Sequence, residues 1–122
     1  MNGRFSLNII ERLTEPMYYI LLALTEECCG VDIMEKVRQI SGGRVKVGPG
    51  TLYAMLSRFE ENDVIRKTAE EGRRKSYIIT DTGRQMLKDE YERLKTMVRD
   101  GERCGEIERG NRLDKYEKVE ER

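Results

Sequence analysis

Residues Gly48–Asn62 read GPGTLYAMLSRFEEN, and the fold of the chain turns on them. Taken as a helix, the stretch sets Leu52, Met55, Leu56 and Phe59 at i, i+3, i+4 and i+7, a complete apolar stripe along one side. Gly48 stands where an N-cap belongs, and Pro49 takes the first helical position, where its missing N–H costs nothing. At about 100° per residue, the opposite side carries Gly50, Ala54, Ser57 and Glu61, flanked by Thr51, Tyr53 and Arg58. A solvated helix ordinarily shows Lys and Glu there. Small residues let a helix approach a surface closely, and hydroxyls with one Arg suit phosphate oxygens and base edges. A short core helix with a nondescript outer face is the plainer alternative, and the stretch alone does not separate the two.

Upstream, Arg44–Val47 alternates polar and apolar residues, which predicts a short extended strand leading into this helix. Asp32–Ser41 reads as another helix, with Ile33, Val37 and Ile40 at i, i+4 and i+7 and Gly42-Gly43 to end it. Helix, turn and helix, the second with a small polar face, make a helix-turn-helix. Earlier still, Thr14 is placed to cap a helix with Pro16 in its first turn and Glu15 favoured by the dipole. Its run Met17–Leu24 is apolar nearly all round, which calls for cover on two sides: the domain core on one and a partner subunit on the other. Glu26 to Gly30 reads as the break after it. Residues 1–13, with Leu7, Ile9, Ile10 and Leu13, are open to two readings, an N-terminal arm or a short helix.

Downstream, Val64–Thr68 and Lys75–Thr80 are rich in β-branched and aromatic residues and read as two strands. Ala69–Arg74 forms the turn, with Gly72 placed for positive φ. Arg73, Arg74 and Lys75 then occupy the tip and return strand of a hairpin. Three consecutive cations repel one another; alone they are merely solvated, but directly after a helix-turn-helix they read as a DNA-binding wing. Thr80 and Asp81 cap a last long helix, in which Gly83 is a mild local weakness. Along it Leu87, Tyr91, Leu94 and Val98 step by 4, 3 and 4, a narrow seam suited to dimerisation. Asp100-Gly101 is expected to end or kink this helix. Beyond it the chain to Arg122 is mostly charged, a mobile tail in which Leu113, Tyr116 and Val119 line at most a weak amphipathic helix begun by Asn111.

Composition narrows the function classes. A chain of 122 residues with 38% charged and 38% hydrophobic content and no Trp has a modest core that self-association would help. The longest apolar run, Met17–Leu24, is far short of the ~20 residues that span a bilayer. Glu11, Arg12 and Glu15 interrupt any signal-like segment, so the expected location is cytoplasmic. Cys28, Cys29 and Cys104 are odd in number and there is no His, which leaves neither a disulfide framework nor a zinc site. The three are read as reduced thiols without assigned chemistry, a thiol sensor at Cys28 and Cys29 being the other reading. No cofactor or metal is expected. Formal charge is zero overall, yet residues 44–85 carry 9 basic against 6 acidic side chains, so the positive excess surrounds the central helix. Without His, paired metal motif, phosphate-cradling loop or activated nucleophile, the chain does not read as an enzyme. Gly48-Pro49-Gly50 is too little for a P-loop.

GPGTLYAMLSRFEEN, EEGRRKSYIITDTGRQML and TEPMYYILLALTEE together resemble the PadR family of transcriptional regulators over about residues 14–100. The combination TLY..L.R.E followed by GRRK.Y..T..G carries the resemblance; neither half would alone. It implies a mainly α fold with a small β-hairpin: a winged helix-turn-helix over 1–80, with the recognition helix at about 49–62 and the wing at about 64–80. A C-terminal dimerisation helix over 81–100 and a charged tail over 101–122 complete it. The short subgroup, without the larger C-terminal domain, is the better match. By position, Thr51 and Tyr53 fall on the family's TLY, Ser57 and Arg58 on the next outward turn, and Arg73, Arg74, Lys75 and Tyr77 on the wing; Lys46 joins them as a DNA contact. The resemblance further implies a homodimer through the first and last helices, here Met17, Ile20 and Leu21 with Leu87, Tyr91, Leu94 and Val98. The implied partners are double-stranded DNA with palindromic operators and a small apolar or aromatic inducer bound in the dimer interface, where Met17, Ile20, Leu94 and Val98 would line an apolar pocket or else are simply core. Cys28-Cys29-Gly30-Val31-Asp32 departs from the His-Gly-Tyr-like element common at that place. The expected function is a dimeric repressor released by an inducer; the alternative is a winged-helix protein-interaction module without DNA binding.

Overall fold

Thr14 opens the first helix as its sequence suggests, with its Oγ1 accepting from the N–H of Met17 at 3.4 Å. The reciprocal half of the cap is unusual, because the N–H of Thr14 donates to the thioether sulfur of Met17 at 3.5 Å. The computed structural model describes residues 12–105. The elements follow in the order α1 (Glu15–Ala23), β1 (Cys28–Cys29), α2 (Gly30–Ile40), α3 (Pro49–Glu61), β2 (Ile65–Glu71), β3 (Arg74–Ile79) and α4 (Asp81–Arg103). Mainly helical with one antiparallel three-stranded sheet, this is a winged helix. The arm or helix considered for residues 1–13 lies outside the described residues except for Arg12 and Leu13, as does the tail from residue 106. The chain divides into two units, Met1–Glu90 and Tyr91–Arg122.

The first unit is organised by the stripe on α3. Leu52, Leu56 and Phe59 are essentially inaccessible, beside Ile33 and Val37 of α2 and Ile20, Leu21 and Leu24 of α1 and its cap. Full burial of each such side chain stabilises by about 1.5–3 kcal/mol, more than the propensity differences between residues in a short helix. Both helices of the helix-turn-helix close alike. At the end of α2 the N–H of Gly43 reaches the carbonyl of Arg38 and that of Gly42 the carbonyl of Gln39, with Gly42 at φ +65. At the end of α3 the N–H of Val64 reaches Phe59 and that of Asp63 reaches Glu60, with Asp63 taking the left-handed position at φ +61.

The elements depart from the sequence reading in several places. Arg44–Val47 forms no strand; Val45 and Val47 turn inward and Lys46 outward, so the alternation reflects burial without a sheet partner. The break after α1 contains a strand, β1, whose Cys28 and Cys29 pair with Tyr77 and Ser76 of β3 and give the sheet the order β1-β3-β2. The hairpin is tighter than the expected turn over residues 69–74. Glu71 pairs with Arg74, which leaves a two-residue loop with positive φ at Gly72 and not at Arg73, the pattern of a II′ turn. Helix α4 continues through Gly101 to Arg103. Gly83 is no weakness but a close approach, since a Cβ there would meet the carbonyl oxygen of Val64.

Thr80 joins these parts. Its Oγ1 accepts from the N–H of Gly83 at 3.0 Å and donates toward the carbonyls of Asp63 at 2.6 Å and Val64 at 2.9 Å. One hydroxyl thus caps α4 and closes the chain leaving α3. At the other edge the N–H of Ile79 bonds to the carbonyl of Leu24 at 2.9 Å, and Arg84 Nη2 donates to the carbonyl of Thr25 at 3.1 Å.

Met17, Ile20 and Leu21, expected at a dimer contact, are buried within the protomer. Met17 is 6% exposed and the other two not at all, so the protomer's own core already holds them. The pocket lining considered for Met17 and Ile20 resolves to core for the same reason. Leu87 is half-buried and packed on the core of the first unit. In the second unit Tyr91, Leu94 and Val98 are exposed, with Met97 beside them.

Candidate nucleic-acid interface

Packing of the stripe inward leaves Thr51, Tyr53, Ala54, Ser57 and Arg58 of α3 exposed together with Gly50, so the small, hydroxyl-bearing side is the solvent side. Pro49 at N1 and Gly48 at the N-cap start the helix without a side-chain cap, which leaves the N–H groups of its first turn unclaimed by a capping side chain. Backbone donors at a helix start favour anions such as phosphate. Lys46 is exposed on the segment that enters this helix, held there by Val45 and Val47 buried on either side.

Beside α3 the hairpin brings Arg73 and Lys75 against Tyr53 and Ser57. With Gly30 and Val31 at the start of α2 these side chains line a recess of about 250 Å³, floored by Leu56 and Tyr77. Thr51, Arg58, Arg74 and Lys46 are exposed outside it. Tyr53 is 45% exposed, yet its ring also rests on the backbone of Gly30, where a Cβ would lie 3.4 Å from Cε1 and 3.6 Å from the hydroxyl. The residue therefore both faces outward and spaces α3 from α2.

Tyr77, expected as a DNA contact, lies beneath the exposed side chains of the site. It is 6% exposed, paired across the sheet with Lys67 on one side and Cys28 on the other. Burial, then the nearby Glu60 carboxylate, pushes its phenol pKa up, so the ring stays neutral and acts as floor.

Electrostatics refine the charge count along the chain. Arg44 belongs to the basic middle segment but is already engaged: Nη1 donates to Glu15 at 2.5 Å, Nη2 to the Tyr19 hydroxyl at 2.8 Å, and the guanidinium lies 5.6 Å from the Tyr19 ring. Arg38 is likewise held by Glu35. The wing is of mixed charge, since Glu70 and Glu71 stand across from Lys75 and Arg74. Glu70, however, is bonded to Lys67 at 3.0 Å, and that bond holds its carboxyl below the usual range. Among the described residues no ion pair within 4 Å engages Lys46, Arg58, Arg73, Arg74 or Lys75.

Sequence reasoning missed Gly30, Val31 and Glu60 as neighbours of the site. Val31 is 50% exposed at the start of α2, and Glu60 lines the recess from the last turns of α3. A two-residue strand of cysteines has no periodicity from which the placement of the Gly-Val that follows it could be read.

No helix among the described residues is long and apolar enough to cross a membrane, and no group of three His, Cys, Asp or Glu side chains among them is placed to hold a metal.

Comparison with known proteins adds three likenesses to a family match. The model of the transcriptional regulator PadR-like family matches residues 20–89, from α1 to the first turns of α4. An uncharacterised 37.1 kDa protein of a Streptomyces fradiae transposon is 34% identical over 80 residues, which is 65% of this chain and 23% of that protein. The chain thus spans about a quarter of the length of that relative. Among solved structures, RosR of H. salinarum superposes with a TM-score of 0.61 at 21% identity, covering 89% of this chain and 91% of that one. BpsR of Bordetella bronchiseptica, whose DNA binding is regulated by 6-hydroxynicotinic acid, superposes with a TM-score of 0.61 at 15% identity, over 96% of this chain and 80% of that one. At these identities both structures show a shared fold.

Proposed function

Because the chain belongs to the PadR-like family of transcriptional regulators, we propose that it is a sequence-specific DNA-binding protein acting as a homodimeric repressor of palindromic operators. The start and outer side of α3 enter the major groove, with Thr51 and Ser57 reading base edges and Tyr53, Arg58 and Lys46 holding phosphates. Arg73, Arg74 and Lys75 take the backbone or minor groove beside it. What supports this most is one arrangement: α3 turns a face of Gly, Thr, Ala and Ser outward beside a hairpin whose three cations make no ion pair among the described residues.

Tyr91, Leu94 and Val98 of α4 form the seam between two copies. They lie 3 and 4 residues apart on one helical side, 50%, 37% and 60% exposed. A shallow groove of about 400 Å³ runs along them, edged by Lys95 and Arg99. A small apolar or aromatic inducer entering this seam releases the operator; BpsR, which shares the fold, has its DNA binding regulated by 6-hydroxynicotinic acid.

Mobility shift with footprinting on DNA spanning the protein's own promoter, at two salt concentrations, tests the proposal. A protected two-fold site with affinity falling steeply with salt is the expected result. Weak, sequence-blind binding there and across genome-wide selected fragments would overturn it and leave the fold as a protein-interaction module.

A further inference from the structure

Cys28 and Cys29 are the whole of strand β1, and nothing in the proposed DNA contact uses their chemistry. Both pair with β3, Cys28 opposite Tyr77 and Cys29 opposite Ser76, the residues directly after the wing cations Arg74 and Lys75 in that strand. Cys29 is also the N-cap of α2, and Gly30, which follows it, carries the Tyr53 ring. The two thiols therefore sit where the wing, the start of α2 and the recognition helix meet.

Consecutive residues of a strand point to opposite faces, and here Cys28 is buried while Cys29 is half-exposed. Their Cα atoms are about 3.8 Å apart, as across any trans peptide, below the roughly 4.4–6.8 Å that ordinary disulfides span. A bond between them closes only if the Cys28–Cys29 backbone leaves its extended form. Since β1 has no other residue, that costs the whole of its pairing with β3. The disulfide and the strand exclude one another, and a disulfide under such constraint is readily reduced again.

We propose that Cys28 and Cys29 form a reversible vicinal disulfide on exposure to a hydroperoxide, and that closing it frees β1 from β3, displaces the wing from the recognition helix and lowers affinity for DNA. The loss of affinity rests on the DNA-binding reading above; the disulfide and the freed strand do not. The oxidant meets the accessible Cys29 first. Its thiolate attacks a peroxide oxygen and the O–O bond breaks, which leaves a sulfenic acid on Cys29 and releases, after protonation, an alcohol or water. The Cys28 sulfur then attacks the Cys29 sulfur, the S–O bond breaks, and water leaves with the thiol proton. Two electrons pass from the two thiols to the peroxide. Linkage is reciprocal, so DNA that holds the wing in place must equally disfavour the closed disulfide at equilibrium.

The test is treatment of the full chain with stoichiometric hydrogen peroxide, followed by peptide mass analysis, amide exchange and DNA affinity, each repeated after dithiothreitol. The expected result is a loss of two hydrogens confined to the peptide bearing Cys28 and Cys29, with no intermolecular cross-link. Faster exchange at whichever of Ser76 and Tyr77 turns its N–H toward β1, and an affinity at least tenfold weaker, should accompany it, all restored by the reductant. Cys104→Ser should respond in the same way. Cys29→Ser, and separately Cys28→Ser, should bind DNA within about twofold of the parent and lose the response. Sulfinic acid on Cys29, cross-linking through Cys104, or a disulfide that leaves exchange at Ser76 and Tyr77 unchanged would overturn the proposal. Should the chain bind no DNA at all, the mass and exchange measurements still decide it, and the failure then belongs to the DNA-binding reading.

Discussion

A methyl group on Gly83 would lie 2.3 Å from the carbonyl oxygen of Val64 and 2.6 Å from Cγ1 of Ile79. Two opposing terms meet at this residue. Ala in a helix is favoured over Gly by about 1 kcal/mol, whereas forcing a methyl into an occupied space costs about 1–3 kcal/mol. The neighbour here is backbone, already fixed by the N–H and hydroxyl of Thr80 at 2.9 Å, so it yields little. Gly83→Ala should therefore destabilise by about 1–2 kcal/mol, read as a lower denaturation midpoint in urea at an unchanged slope. A midpoint equal to or above the parent's would show that α4 shifts freely along the strand. Asp63 poses the converse case. At φ +61 it occupies a conformation that Gly adopts without strain, so Asp63→Gly should raise stability by a few tenths to about 1 kcal/mol, again by urea unfolding, and a loss would mean that its side chain does more than occupy the turn.

At the scale of the element, α3 and the hairpin divide the work of binding. Arg73 and Arg74 are exposed cations on a two-residue turn and a strand end, without the geometry of a fixed base contact. Arg73→Ala with Arg74→Ala should weaken binding to all sequences alike and lower the slope of log affinity against log salt by up to about two counterions. An unchanged slope would remove the wing from the contacts. Ser57 sits on the outward side of a helix anchored by Leu56 and Phe59, both within 2% of full burial. Ser57→Ala should leave the slope alone and change preference at one base pair by about 1 kcal/mol, seen by competition among operator variants. Equal losses on every variant would reassign Ser57 to a phosphate.

For the whole molecule the question is self-association. Ile20 and Leu21 are buried in the protomer, and truncating such a residue costs about 2–5 kcal/mol of fold stability, so their mutants would report on folding rather than on dimerisation. Leu94 and Val98 are exposed, so charge placed there leaves the protomer fold intact. Leu94→Glu with Val98→Glu should yield a monomer by sedimentation equilibrium with an unchanged far-UV spectrum, and DNA affinity should fall because two half-sites are no longer bound together. A persisting dimer would place the interface elsewhere.

The sequence by itself determined the helices and the order of the parts. The stripe Leu52, Met55, Leu56, Phe59 and the signals at Thr14, Pro49 and Gly42 are local patterns, and local patterns survive in any context that buries one side of a helix. The same periodicity identified the outward face of α3, because a helix with one apolar side has its other side settled as well. Only the tertiary structure decided the rest. Two cysteines became a strand because β3 offered an open edge, and Val45 and Val47 stayed out of the sheet because none was offered to them. Tyr77 went beneath the site, Arg44 was drawn to Glu15, and Met17, Ile20 and Leu21 were taken by the core. In each case the deciding partner lies far off in the chain, and which of several equally apolar or equally charged candidates it meets depends on three-dimensional packing that no local spacing encodes.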